Sequence, residues 1–261
     1  MRCSVVIFFM ICFFTFFVGY SCGASLCDPG VSAPGGVLKT VADVVKQLDS
    51  QVDSRLKPYF ARAGVPYPPS RVALIGLKEE MKLELWAAKD NAWVHVRTYD
   101  VYAASGMQGP KQRRGDRQVP EGIYQITFLN PNSSYHLSMK LNYPNSYDLT
   151  MARHDRRSNL GGDIYIHGST KSIGCLAIGN RAIEEVFVLI AKIGVDNASV
   201  LIAPYDLRNG SPNVYLSTDP TWLPALYKSL GQEMAKFRFQ DEFRGTIEES
   251  RMALHEQAQE H

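Results

Sequence analysis

The chain has 261 residues, 45% of them hydrophobic and 21% charged, with a formal net charge of +2. These proportions lie near the averages for soluble globular proteins and exclude a disordered or collagen-like chain, and five cysteines are too few for a disulfide framework. The balanced charge indicates no polybasic face for nucleic acid, and the length suits one domain of moderate size or a compact domain with helical extensions.

The chain opens with Arg2 followed by Val5 to Val18, a run in which Thr15 is the clearly polar residue. Gly19, Ser21, Gly23, Ala24 and Ser25 follow. A basic start, a short apolar core and a small-residue exit have the form of a secretory signal, with cleavage expected near Ala24. A membrane-spanning helix needs ~20 apolar residues, so an uncleaved anchor is the weaker option. Lipidation at Cys22 is weaker too, since Gly19 stands where a lipobox carries leucine. In each case the body of the protein is expected outside the cytoplasm, in the periplasm, touching membrane only through this segment.

Cleavage removes Cys3, Cys12 and, with a later cut, Cys22, leaving Cys27 and Cys175. Cys27 lies in a Pro/Gly-rich linker. Either the two form a disulfide, or Cys175 is a reduced thiol in an oxidising compartment.

Leu38, Val41, Val45, Leu48, Val52 and Leu56 recur at three- and four-residue steps, which predicts an amphipathic helix ending before Pro58. The period then changes to two. Strands are predicted at 72–77, 82–87, 93–99, 122–129, 135–143, 163–168 and 199–203, with a turn at Lys89-Asp90-Asn91. Between the last two strands a helix is expected from an Asn180 N-cap, with Glu184 and Glu185 in its first turn and Gly194 closing it. A helical pattern resumes after Pro224. The tail from Asp241 to His261, with six acids and two arginines, reads as a solvated helix or a frayed end. The expected class is α+β, a β-rich core with helical arms.

The densest chemistry lies in GGDIYIHGSTKSIGCLAIGN, residues 161–180. Ile164 and Ile166 alternate with Tyr165 and His167, so His167 points away from the apolar face at the end of a strand. Gly168 allows a sharp turn, and Gly174 lets the backbone approach a ligand. The step from His167 to Cys175 is long enough for the chain to fold back and bring imidazole to sulfur inside an open groove. Such a pair is useful because a free thiol, with a pKa of ~8.5, is mostly protonated at neutral pH. A histidine can take that proton and return it to a leaving amine. Backbone N–H groups around Gly174 and Cys175 are the local candidates for holding an oxyanion. Asp163 lies ~13 Å from His167 along an extended strand, too far to orient its ring, so a backbone carbonyl or a remote residue must do so.

The bland alternative is a structural Cys and His that happen to be near in sequence. A metal site is not expected, since there is neither a C-x-x-C nor an H-x-x-x-H pair. His95, His136, His154, His255 and His261 are scattered, and His136 reads as a polar surface residue beside Ser138 and Lys140. A second feature is GPKQRRGDRQVPEG, residues 109–122, with Lys111, Arg113, Arg114 and Arg117. It reads as a solvated loop or as a basic rim for a carboxylate-rich ligand, a role that suits the arginine fork.

Three stretches carry a family resemblance: GPKQRRGDRQVPEGIYQI at 109–126, LNPNSSYHLSMKLNYPNSYD at 129–148 and SNLGGDIYIHGSTKSIGC at 158–175. Together the region from Gly109 to Arg208 resembles the L,D-transpeptidase catalytic (YkuD-type) family of bacterial cell-wall enzymes, in its YafK-like murein L,D-transpeptidase branch. The resemblance implies a β-sandwich-like catalytic domain with Cys175 as nucleophile and His167 as proton acceptor and donor. Ser172, Gly174, Arg117 and Tyr165 are the implied substrate-binding or oxyanion group. No cofactor is implied. The implied partners are the stem peptides of peptidoglycan, with a wall-linked lipoprotein as a further one and no nucleic acid. Cys175 would attack the carbonyl of diaminopimelate at its L centre, expel D-alanine, and pass the thioester to an amine or to water.

The commoner family pattern has a longer gap between the two residues and S/T-H-G-C at the nucleophile. Here Ile173 replaces the second histidine and Leu176-Ala177 the usual apolar-Arg pair, departures shared by the YafK-like branch. They bear on substrate grip and leave hydrolysis open beside transfer, as well as a non-catalytic wall-binding module. The resulting division is a signal peptide at 1–24, a linker and N-terminal helical segment at 25–70, a catalytic domain at 71–208 and a C-terminal helical extension at 209–261.

Overall fold

The computed structural model describes residues 38–106, 109–210 and 219–239. The predicted signal segment, Cys27 and the acidic tail lie outside the described residues. The elements in chain order are α1 (Val41–Arg62), β1 (Val72–Leu77), β2 (Lys82–Lys89), β3 (Ala92–Asp100), β4 (Ala103–Ala104), β5 (Gly122–Asn130), β6 (Ser138–Leu141), α2 (Ser146–His154), β7 (Tyr165–His167), β8 (Leu176–Ala177), α3 (Asn180–Ile193), β9 (Ala198–Ala203) and α4 (Leu223–Met234). The nine strands form one sheet in the order β3-β2-β1-β9-β5-β6-β7-β8-β4, the β-rich core with flanking helices expected of the α+β class.

β1 reads VALIGL and is buried along its whole length, because both of its faces are covered. Val72 and Leu74 face the cluster shared with α1 and α3, whereas Ala73, Ile75 and Leu77 face α4. A strand buried on both faces carries a continuous apolar run instead of an alternating one. β1 pairs parallel with β9 and antiparallel with β2.

β5 joins the two halves of the sheet. Gly122 to Gln125 pair with β9, while Ile126 to Asn130 pair with β6, and the register shifts between Ile126 and Phe128. The far half curls back over the near one. A Cβ added to Gly76 of β1 would lie 3.2 Å from Leu176 Cδ1 of β8, so glycine is what allows the two layers to close there.

α1 begins at a capping box in which Thr40 and Asp43 satisfy each other's backbone N–H groups. It does not stop before Pro58, as the sequence suggests, but runs through it to Arg62. Proline costs the helix a hydrogen bond, yet Phe60, fully buried, continues the stripe of Val44, Val52 and Leu56. Packing of that aromatic ring outweighs the missing bond.

α3 is capped by Gly179, not Asn180. The Asn180 side chain instead accepts the Ser169 N–H at 2.7 Å, tying the helix start to the loop after β7. Glu184 and Glu185 therefore sit beyond the first turn. Glu185 is buried and pairs with Arg97 at 2.8 Å and Arg55 at 3.2 Å, and Glu184 pairs with Arg55 and with His136, both at 2.9 Å. The two acids clamp α3 to α1 and β3. Among the described residues no helix is long and apolar enough to cross a membrane.

Candidate active site

β7 and β8 are adjacent and parallel, with Ile166 opposite Leu176 and His167 opposite Ala177. Ile166 and Leu176 turn into the main apolar cluster. By the two-residue alternation of strands, His167 and Cys175, the residue just before β8, belong to the other side, diagonally across the strand pair. Neighbouring strands ~4.8 Å apart and a rise of ~3.3 Å per residue set these positions about 8 Å apart at the backbone. The seven residues between them, 168–174, return the chain for this pairing.

His167 is buried, 2% exposed. Its Nδ1 lies 2.6 Å from the Gly168 carbonyl oxygen. A carbonyl only accepts, so Nδ1 carries the proton and Nε2 keeps its lone pair. Of the two partners the sequence leaves open for the ring, a backbone carbonyl or a remote residue, it is a backbone carbonyl. Burial pushes the imidazole below its ordinary titration range, and the Gly168 carbonyl partly offsets this. The ring of Tyr135 stacks on it, centroids 4.6 Å apart and 28° from parallel. The imidazole is thus neutral at neutral pH, fixed in tautomer, and clamped in orientation.

Gly168 is needed for closeness and not for the turn itself. The left-handed backbone belongs to Ser169, at φ 62°. A Cβ on Gly168 would meet the Tyr135 carbonyl oxygen at 2.5 Å and Asn180 Oδ1 at 2.8 Å.

Cys175 carries a buried thiol, 2% exposed, with Sγ 3.9 Å from the Asp163 carbonyl oxygen. The sequence suggests an open groove, but in this conformation the sulfur is covered. Its peptide is bracketed by Ser172, whose hydroxyl accepts from Cys175 N–H at 2.9 Å and donates to Cys175 O at 2.7 Å. Gly174, at φ 97°, donates its N–H to the Ser105 hydroxyl. Both backbone donors considered for an oxyanion are therefore engaged by serine hydroxyls here. Ser172 and Ser105 shape the loop leading into Cys175 in this state.

The remaining sequence-level candidates separate. Tyr165 is buried, with the Lys140 ammonium 5.8 Å over its ring. Lys140 in turn pairs with Asp163 at 2.7 Å. In the basic loop, Lys111 is turned inward onto Asp116 at 2.5 Å, and Asp116 also accepts from the N–H groups of Gln112, Arg113 and Gln118. Lys111 is thus structural, while Arg113, Arg114 and Arg117 remain exposed. Arg114 N–H bonds Asn159 O at 2.9 Å, which fastens the loop to the segment leading into β7.

Sequence reasoning missed Tyr135 and Ser105. Both lie far from His167 along the chain, and no feature of their residue types or spacing points to the site, although Tyr135 lies in the 129–148 stretch.

These residues fall within residues 71–202, which match the family model for the L,D-transpeptidase catalytic domain, YkuD. YafK of Escherichia coli (strain K12), itself a provisionally assigned L,D-transpeptidase, is 32% identical over 139 residues, covering 51% of this chain and 54% of that protein. The chain thus spans about half the length of the curated relative it matches. Among solved structures, the helical cell shape determining protein Pgp2 from Campylobacter jejuni is 21% identical, with a TM-score of 0.43 over 52% of this chain and 48% of that one. L,D-transpeptidase 1 of Mycobacterium tuberculosis is 11% identical, with a TM-score of 0.30 over 51% and 61%. The structural likenesses are distant, but the family match takes in just over half of the chain, including both His167 and Cys175: the protein is a member of the YkuD L,D-transpeptidase catalytic domain family.

Proposed function

We propose that the protein is an exported cysteine L,D-transpeptidase acting on peptidoglycan stem peptides, with Cys175 as nucleophile and His167 as the proton carrier. The observation that carries this reading is the parallel register of β7 on β8, together with the tautomer fixed at His167. His167 Nε2 takes the Sγ–H proton as Sγ attacks the diaminopimelate carbonyl carbon. The C–N bond to D-alanine breaks, and the imidazolium returns the proton to the leaving amine. An acceptor amine then attacks the thioester, gives a proton to Nε2, and the sulfur leaves as the restored thiol. The apolar run at Val5 to Val18 supports export to the periplasm, and a catalytic unit at 71–208 between an N-terminal helical segment and a C-terminal extension is part of the same reading.

Cys175→Ala is expected to abolish turnover of purified tetrapeptide muropeptides. Unchanged turnover refutes the assignment. The second reading is a hydrolase using the same pair, either an L,D-carboxypeptidase or an amidase that frees a wall-linked lipoprotein. It is favoured by the buried sulfur, which leaves room at the thioester for water more readily than for a second stem. Mass spectrometry of products separates the two: cross-linked dimers and exchanged D-amino acids mark transfer, whereas shortened or protein-freed stems alone mark hydrolysis.

A further inference from the structure

The curled half of the sheet places a further polar side chain on the face that carries His167 and Cys175. β4 runs antiparallel to β8, with Ala104 opposite Leu176 and Ala103 opposite Ala177. Ala104, Leu176 and Ile166 all pack on the main apolar cluster. Side chains alternate along a strand, so Ser105, the next residue, belongs to the opposite face. One step further in the same register it stands across from Cys175, and opposed residues of this kind have Cβ atoms ~5 Å apart. Cys175 is thus flanked by β7, which brings His167, on one side and by Ser105 on the other.

Ser172 and Ser105 differ in what their hydroxyls still have to offer. A hydroxyl has one O–H donor and two acceptor lone pairs. The Ser172 hydroxyl accepts from Cys175 N–H and commits its proton to Cys175 O. The Ser105 hydroxyl accepts from Gly174 N–H, and its own O–H has no acceptor among the described residues. Accepting an amide N–H makes a hydroxyl a stronger donor, because hydrogen bonds in a chain polarise one another. Ser105 is also held in place. Its carbonyl oxygen accepts from Val119 N–H at 3.3 Å, and the Val119 carbonyl oxygen accepts from the Lys78 ammonium at 3.2 Å. Lys78 is anchored at 2.7 Å on Glu121, whose carboxylate also accepts from the Tyr227 hydroxyl at 2.8 Å. This buried network fixes the strand end that carries Ser105.

We infer that Ser105 is a catalytic residue whose O–H donates to the oxygen of the carbonyl that Cys175 attacks. As the Sγ–C bond forms, the carbonyl π pair moves onto oxygen, and the Ser105 O–H stabilises that charge while keeping its proton. The pair returns to re-form C=O as the bond to the leaving group breaks. Gly174 N–H acts through Ser105 by polarising its hydroxyl. This inference rests on the proposed acyl transfer at Cys175 and adds a residue to it.

The test contrasts two reactions of the same sulfur. p-Nitrophenyl acetate acylates a thiol through an oxyanion, whereas iodoacetamide alkylates it without one. Both are followed at Cys175 by mass spectrometry of the full chain, with Cys175→Ala as the blank. Ser105→Ala should slow acylation by about 100-fold and leave alkylation unchanged. Ser105→Thr, which keeps the hydroxyl, should recover most of the lost rate. A parallel loss in both reactions overturns the inference, since it marks a serine that only places the loop. Unchanged or faster acylation overturns it too, since the hydroxyl would then do no more than occupy the Gly174 N–H. Turnover of tetrapeptide muropeptides by the wild-type protein is read separately. Absent turnover with Ser105-dependent acylation removes the stem-peptide reading and keeps this one, whereas turnover with acylation indifferent to Ser105 removes this one alone. Wild-type protein acylated no faster than the blank overturns both.

Discussion

Replacing Gly168 with alanine tests the site at its tightest point. The new Cβ would lie 2.5 Å from the Tyr135 carbonyl oxygen, 2.8 Å from Asn180 Oδ1 and 3.0 Å from Ile183 Cγ2. The first of these is backbone and cannot swing aside, and the other two belong to α3, so the end of β7 must shift by roughly half an ångström or more to restore ordinary contact. The backbone at Gly168 is not left-handed, so the cost comes from crowding and not from strain. Overpacking of this kind costs about 1–3 kcal/mol, which for a domain of this size lowers Tm by roughly 2–4 °C per kcal/mol. The catalytic effect should be larger than the stability loss implies. Gly168 supplies the carbonyl that fixes His167 Nδ1, and the segment displaced at Tyr135 carries the ring stacked on the imidazole. A misplacement of ~1 Å can cost on the order of 100-fold in rate. Differential scanning fluorimetry and kcat on tetrapeptide muropeptides give the two readouts. A variant with wild-type Tm and wild-type kcat would refute the reasoning, and a lowered Tm with unchanged kcat would confine the glycine to a packing role.

Three further outcomes follow from the buried titratable groups. Burial holds His167 below its usual range, and as a base it must be neutral, so the acid limb of kcat/KM should fall below pH ~6.5; a limb at or above that value contradicts the assignment. Asp148, at the third position of the α2 capping box, is pushed up to about 6 by burial, against the opposing pull of the Asn145 N–H, the Tyr124 hydroxyl and Arg157. Its folded value exceeds the unfolded one, so its contribution to stability is full below pH 3.8 and is lost as pH rises through about 6. Asp148→Asn should therefore gain in Tm relative to wild type between those pH values and level off above them, and a difference that stays flat with pH excludes this account. Glu185→Ala leaves Arg97 and Arg55 facing an empty buried carboxylate position, and should cost about 3 kcal/mol in urea denaturation; a loss under ~1 kcal/mol would show that the clamp between α3 and its neighbours is held by apolar packing alone.

Most of the sheet is legible in the sequence because its strands carry strong local patterns. VALIGL at β1 is bounded to the residue by its apolar run, since coverage on both faces leaves no alternation to blur it. The two-residue strands β4 and β8 are too short to carry a period, and they exist only because the sheet curls and brings Ala103-Ala104 beside Leu176-Ala177. The predicted strand at 135–143 shortens to Ser138–Leu141, because His136 turns left-handed at φ 76° to reach Glu184. α2 was invisible: Ser146–His154 has one buried residue, Ala152, so no apolar stripe marks it, and its Asn145/Asp148 capping box is the signal that was available. His167 and Cys175 stand out by residue type and spacing. Tyr135 and Ser105 do not, because what qualifies them is proximity created by the curl.

Burial of the sulfur decides which chemical probe reports on this site. Iodoacetamide must reach Sγ from solvent, but Sγ is covered and sits against the Asp163 carbonyl. Burial pushes the titration of the proposed base, His167, below its ordinary range. Slow alkylation is therefore the expected behaviour of a competent enzyme and cannot be read as absence of activity. A carbapenem differs, because its strained amide makes it an acylating agent like the reacting peptide and not a simple alkylating one. Proton transfer to Nε2 then accompanies attack instead of preceding it. The expected result is a stoichiometric acyl adduct at Cys175 by mass spectrometry under conditions where iodoacetamide labels poorly. It should be lost in Cys175→Ala and strongly slowed in His167→Gln. An adduct formed equally fast without the imidazole would show that the thiol acts unaided, and would end the case for a paired Cys–His centre.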